Sequence, residues 1–228
     1  MNNLESQLWK IANDLRGQMD SVEFKNYMLG FIFIKFLSER VEKRANDLLI
    51  EEGITDYTYV SLPLDHELCE DIYSELQFEF GYYIKQDELF NCFVKKVKTN
   101  DTIIEALSNA LVNIEKSTQG SDSEDDFIGL FDDMDLENNK LGANAVERNN
   151  TLSSIITNIN DIEGLTNDVD VLGNAYEYLI KMFASDAGKK GGEFYTPKEV
   201  SDVVAKLVTV EKKQVGKVYD PTCGSGSL

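Results

Sequence analysis

Two short segments near the C-terminal end carry the residue types that do chemistry. Gly191-Gly192-Glu193-Phe194-Tyr195-Thr196-Pro197 comes first, and Asp220-Pro221-Thr222-Cys223-Gly224-Ser225-Gly226-Ser227 follows after one amphipathic stretch. Pro197 suits the first turn of a helix, where a missing N–H costs nothing; Thr196 is then the natural N-cap, with Glu199 three residues on. The open N–H groups of such a helix start favour a bound carboxylate. Asp220 closes an expected strand, where an acid accepts hydrogen bonds from a ligand amine or hydroxyl. Gly224 and Gly226 flank Ser225, and without a Cβ their backbone approaches a ligand closely. Taken alone, Gly-Ser-Gly-Ser is equally the composition of an ordinary flexible loop. The same glycine turn also admits a nicotinamide-binding fold, whose third glycine and ribose-binding acid would fall after Leu228.

Elsewhere the chemical signals are thinner. His66 is the only histidine, and no Cys, His and acid group has metal-ligand spacing, so no metal site is expected. Asp132, Asp133 and Asp135 lack the glycine and closing glutamate of a calcium-binding EF-hand loop. Lys95-Lys96-Val97-Lys98 reads as a solvated helix end in preference to a phosphate contact. Trp9 reads as core, or as an interface anchor if exposed. Cys69, Cys92 and Cys223 are few and widely spaced, which argues against a disulfide framework.

The elements that must position these residues are mostly helical. Leu4, Leu8, Ile11, Leu15 and Met19 recur at helical spacing. Asp20 with Glu23 resembles a capping box opening a second helix that runs to about Glu52, with Gly53 as its stop. Its stretch Phe24–Leu37 is apolar nearly all round and should form the buried centre of a bundle, whereas Ser38–Lys43 turns polar and is expected to project past the core. Residues 54–66 suit a short strand or loop. Helices are expected over about 67–80, 86–98, 101–116 and 143–160, with a linker at Gln119-Gly120-Ser121-Asp122. Phe127, Ile128, Leu130 and Phe131 suggest that the acidic segment after it folds back. Asn167-Asp168 then precedes an amphipathic helix through Val171, Leu172, Ala175, Tyr176, Leu179, Met182 and Phe183. Val200, Val203, Val204, Leu207 and Val208 give the helix after Pro197 a face expected to be buried. Residues 214–220 read as a strand, so that strand, glycine turn and incipient helix open a doubly wound α/β sheet.

Composition sets bounds on partners. The 228 residues suffice for one large domain or one and a half ordinary ones, and 42% apolar content with three prolines suits a globular chain. The apolar run 27–37 is interrupted by Lys35 and falls well short of the ~20 residues that cross a bilayer. Asn2-Asn3-Leu4-Glu5 has neither the basic start nor the apolar core of a signal peptide, so a cytoplasmic location is expected and no membrane association. The formal net charge is -19, with 41 acids against 22 bases, and residues 121–137 hold eight acids and no base. Such a chain is ill-suited to displace counterions from phosphates by itself, so any basic surface for DNA should come from other residues or a partner.

Gly-Glu-Phe-Tyr-Thr-Pro followed by Asp-Pro-Thr-Cys-Gly-Ser-Gly resembles the modification (methyltransferase) subunit of type I restriction–modification systems, an N6-adenine DNA methyltransferase family. Residues 8–17 and 126–131 are similar, more loosely, to segments of that family's helical N-terminal region. The resemblance implies a mainly α chain. A helical bundle domain over 1–165, serving assembly and closure on DNA, would precede the start of a Rossmann-like α/β methyltransferase domain over 166–228. It implies S-adenosylmethionine as cofactor, held by Glu193, Phe194, Tyr195, Thr196, Pro197, Lys198, Asp220, Gly224, Ser225, Gly226 and Ser227. Asp220 would neutralise the methionine ammonium, and Cys223 would be a small buried residue below the turn, not a nucleophile. It further implies a DNA-specificity subunit, a restriction subunit and a second modification subunit as partners, with double-stranded DNA reached through the complex. No Asn/Asp-Pro-Pro-Tyr/Phe tetrapeptide occurs in the sequence, so no catalytic residue is assigned, and the chain is expected to be a fragment inactive alone. The competing reading is a helical protein–protein interaction module with no catalytic role.

Overall fold

The computed structural model describes residues 6–8, 21–162, 173, 178, 179, 196, 198–212, 214 and 216–220. The described chain is mainly helical. Helix α1 is Ser21–Glu51, α2 Cys69–Phe80, α3 Phe90–Lys98, α4 Ile104–Lys116, α5 the single turn Glu124–Phe127, α6 Ala145–Asn160 and α7 Lys198–Val208. Two 3-10 turns, Tyr59–Ser61 and Gln86–Glu88, interrupt the connections.

α1 is the axis of the body. Its 31 residues extend about 46 Å at 1.5 Å per residue, and α2, α3 and α6 pack on it. Tyr27, Met28, Phe31, Ile32, Ile34 and Leu37 are all buried, as expected for the bundle centre. The polar stretch does not project past the core: Ser38, Val41, Ala45 and Leu49 continue a buried stripe at three- and four-residue spacing. Ser38 tolerates burial because its Oγ accepts the N–H of Phe90 at 3.1 Å, one of the donors left open at the start of α3. Lys35 is also buried. It pairs with Glu39 at 2.7 Å and lies 5.7 Å from the centre of the Phe90 ring. Gly53 (φ 75°) ends the helix as expected.

Residues 54–66 form irregular chain around the first 3-10 turn. Tyr59 fastens it: its N–H donates to Asn46 Oδ1 at 2.7 Å and its hydroxyl to Ile84 O at 2.6 Å. α2 stops at Gly81, whose φ of 81° suits a left-handed C-cap and whose N–H returns to Gln77 O. Arg44 ties α1 to α2 through Glu79 at 2.6 Å, and Arg40 lies 4.2 Å from the Phe80 ring centre. Buried polar groups behind α2 are paired in series. Tyr73 donates to Gln86 Oε1 at 2.5 Å, Gln86 Nε2 meets Cys69 Sγ at 3.1 Å, and Tyr73 stacks on Tyr83.

The stretch 119–122 is pinned down more firmly than a linker. Gln77 Nε2 donates to Ser117 O at 2.7 Å and Gln119 O at 3.0 Å, and Ser121 Oγ donates to Gly81 O at 2.8 Å. The acidic segment beyond it folds back through Phe127 and Phe131, which are buried, while Ile128 and Leu130 stay exposed. Met134 then seats against α1 at Gly30, where only a hydrogen leaves it room, and Tyr27 Oη donates to Asp135 O at 2.5 Å. Asn144 caps α6 by accepting the Glu147 N–H at 3.0 Å, and Asn149 of that helix accepts the Ile103 N–H at the start of α4.

The remaining expectations divide. Residues 6–8 are helical with Leu8 fully buried, and Trp9 lies outside the described residues. Of the helix expected after Asp168, the described residues Gly173, Tyr178 and Leu179 are helical and Leu179 is buried. α7 forms, but its apolar face is uncovered: Val200, Val203, Val204, Leu207 and Val208 are exposed, and Ser201 is the residue that is buried. The strand expected over 214–220 does not appear among its described residues, which form no ladder. A strand needs a neighbour to complete its hydrogen bonds, and no strand occurs among the described residues, so Val218 and Tyr219 stand exposed.

Candidate functional site

Three of the candidate cofactor residues are among the described ones. Thr196 is half-buried two residues before α7, whose first residue is Lys198. α7 is 11 residues long, so its first turn presents backbone N–H groups that no earlier helical carbonyl satisfies. Asp220 is half-buried and is the last described residue of the irregular stretch 217–220. A hydroxyl, a helix start and a carboxylate are group types that suit the carboxylate and ammonium of an amino-acid moiety such as the methionine end of S-adenosylmethionine. Glu193, Phe194, Tyr195, Pro197, Gly224, Ser225, Gly226 and Ser227 lie outside the described residues, as does Cys223.

The body itself offers little acid–base chemistry. Burial pushes the hydroxyls of Tyr59, Tyr73 and Tyr82 above the ordinary tyrosine range, which keeps them protonated; Tyr59 and Tyr73 donate to Ile84 O and Gln86 Oε1, whereas the Tyr82 hydroxyl has no partner among the described residues. Burial likewise raises Glu88, whose carboxylate accepts from Asn113 Nδ2 at 2.5 Å, and the half-buried thiol of Cys92. A raised thiol pKa marks a poor nucleophile. Among the described residues no group of three or more His, Cys, Asp and Glu side chains is placed to hold a metal ion. No helix among them is long and apolar enough to cross a membrane.

A groove of about 820 Å³ opens elsewhere, between α4, the segment 131–137 and the first turn of α6. Thr196, Lys198 and Asp220 do not line it. Of its lining the sequence singled out Asp132 and Asp135, as calcium ligands to be set aside, and Phe131, as part of a segment that folds back. One wall of it follows from the alternation of Phe131, Met134 and Leu136 with acids, which buries one face and exposes the other; that pattern alone does not announce the groove.

The described chain is a mainly helical body with α7 after it, and comparison with known proteins gives its family. Residues 4–159 match the HsdM N-terminal domain family and residues 167–228 match the N-6 DNA Methylase family. The chain therefore belongs to the methylase subunits of type I restriction–modification systems. It is 37% identical over 235 residues to the type I restriction enzyme MpnII methylase subunit of Mycoplasma pneumoniae, a match covering 100% of this chain and 43% of that protein. To the MjaIX methylase subunit of Methanocaldococcus jannaschii it is 30% identical over 229 residues, covering 98% of the chain and 38% of the relative. The crystal structure of a type I restriction-modification system methyltransferase subunit from Streptococcus thermophilus superposes with a TM-score of 0.82 at 32% identity. That match covers 98% of this chain and 48% of the other. The chain thus spans about two fifths of the length of these curated relatives.

Proposed function

We propose that the chain is the N-terminal part of a type I modification subunit that transfers a methyl group from S-adenosylmethionine to adenine N6 in DNA. The observation that carries this reading is the order of the two family matches, 4–159 and then 167–228, with the second containing both cofactor-type segments. The same order supports a division near residue 165 between a helical assembly domain and the start of the methyltransferase domain. In this reading the first turn of α7, with Thr196 and Pro197, receives the methionine carboxylate. Asp220 faces the ammonium, and the backbone of Gly224 to Ser227 lies under the cofactor. Glu193, Phe194, Tyr195 and Lys198 complete its surroundings. When bound, the cofactor supplies an electrophilic methyl group; this chain's residues bind and orient it. The target adenine must leave the duplex for such chemistry, and the residues that hold it are assigned to a protein of the relatives' length.

The reading places the subunit in the cytoplasm beside a second modification subunit, a DNA-specificity subunit and a restriction subunit. The acidic balance of the chain supports that arrangement, because double-stranded DNA would then be gripped through basic surface on the rest of the complex. Calorimetric titration of S-adenosylmethionine into the full-length subunit tests the cofactor assignment. Tyr195→Ala is expected to weaken binding at least about tenfold, a loss of ~1.4 kcal/mol. Unchanged affinity would remove Tyr195 and its segment from the site. The alternative, an assembly module without catalysis, is favoured by one feature: the extensive apolar packing around α1 needs no cofactor.

A further inference from the structure

The groove beside α4 has the makings of an interface. Glu105, Ser108, Val112 and Glu115 fall at three- and four-residue spacing and so lie along one stripe of α4. Across from them run Asp132, Asp135 and Glu137, whose neighbours Phe131, Met134 and Leu136 are buried. Five carboxylates therefore line one concavity. Arg148 is the single arginine or lysine among the lining residues. Its Nη1 is directed to Gly142 O at 3.4 Å, and it makes no ion pair among the described residues. The side chains of Glu105, Asp132 and Glu137 likewise have no partner among the described residues.

These carboxylates are held where they are. Met134 is locked against Gly30 and Asp135 O accepts from Tyr27, so the segment 131–137 cannot splay to relieve the repulsion. Apolar surface accompanies the charge: Val112 is 46% exposed and Val146 is 70% exposed, both on the groove wall. Fixed like charges beside exposed valines favour a ligand that brings cations and apolar groups at matched spacing. We propose that this groove is the docking surface for a basic amphipathic helix of a partner protein. Its lysines and arginines would face Glu105, Asp132, Asp135 and Glu137, and its apolar stripe would cover Val112 and Val146. The proposal goes beyond the methyltransferase reading and does not depend on the cofactor segment.

The test uses the whole chain and a synthetic amphipathic helix of leucine and lysine, labelled for fluorescence anisotropy. The wild type is expected to bind it, with affinity falling as salt is raised. Replacing Glu105→Gln, Asp132→Asn and Glu137→Gln together should weaken binding by about tenfold or more. Ser108→Arg, which sets a cation on the same stripe, should weaken it as well. The control Asp56→Asn, Asp65→Asn and Glu67→Gln removes equal charge from exposed positions outside the groove and should leave affinity within about twofold. Equal loss in the groove and control variants would reduce the effect to general attraction by an acidic protein and overturn the proposal. Failure of the wild type to bind the peptide at low salt would overturn it too.

Discussion

Gly30→Ala tests how the acidic segment is seated on α1, and the sign of its effect is decisive. In an isolated helix this change stabilises by roughly 0.5–1 kcal/mol, because alanine loses less backbone freedom than glycine. Here the new Cβ would stand 2.9 Å from Met134 Cγ and 3.0 Å from its Cε, and closer still to Sδ. Met134 is 5% exposed, so it has no open space to swing into. Overpacking of this kind costs about 1–3 kcal/mol. The clash therefore offsets or outweighs the helix gain, for a net loss of roughly 0–2.5 kcal/mol. Urea unfolding followed by circular dichroism should show a lower midpoint, and the melting temperature should fall by ~2–4 °C per kcal/mol lost. Met134→Ala alone should cost about 2–5 kcal/mol. The double variant removes the clash, so its loss should be smaller than the sum of the two by at least ~1 kcal/mol. If Gly30→Ala raised stability, or the double variant were additive, Met134 would not sit on Gly30 and the fixed wall of the groove would be lost with it.

Other expectations concern the same body. Asn144→Ala removes the α6 cap and should cost about 1 kcal/mol in urea unfolding. Gly142→Ala should cost more, because its Cβ would meet Glu147 Cβ at 2.5 Å and the backbone N of Arg148 at 2.6 Å, where no rotamer change relieves it. Burial raises the Glu88 carboxyl in the folded state, so the folded protein holds that proton to higher pH than the unfolded chain does. Stability from this group is then present at low pH and lost as pH rises from the ordinary carboxylate range through the raised value. Glu88→Gln should accordingly gain on the wild type between pH 4 and pH 7, measured as a difference in unfolding free energy; a constant difference across that range would contradict the burial argument.

Much of the body was legible in the sequence. α1 is so long and so continuously apolar that its span was readable almost to the residue, ending at Glu51 against an expected end near Glu52. The local stop signal at Gly53 worked for the same reason: it acts within a few residues. Misreadings came where burial depends on distant partners. Ser38 looks like a surface position until the Phe90 N–H arrives from 52 residues away. The linker at 119–122 is held by Gln77, a contact no local pattern announces. α7 shows the converse case, since its valines at helical spacing promised a buried face whose cover is absent among the described residues. The segments proposed for the cofactor stood out in the sequence as motifs, because Thr-Pro before a helical pattern and Gly-Ser-Gly after Asp-Pro are local, short-range patterns. The groove was not, because its walls come from α4, 131–137 and α6, and each reads alone as a solvated acidic face.

The central claim is that this chain is the front of a modification subunit. Its most direct test is the full-length subunit, purified with its specificity subunit and incubated with S-adenosylmethionine carrying a labelled methyl group and unmethylated double-stranded DNA. Nuclease digestion and mass spectrometry should find the label on adenine N6, at one DNA sequence, and the label should drop sharply with Tyr195→Ala. An assembled, folded complex that binds DNA yet leaves no label on adenine N6 would contradict the account and leave the helical body as an assembly module alone.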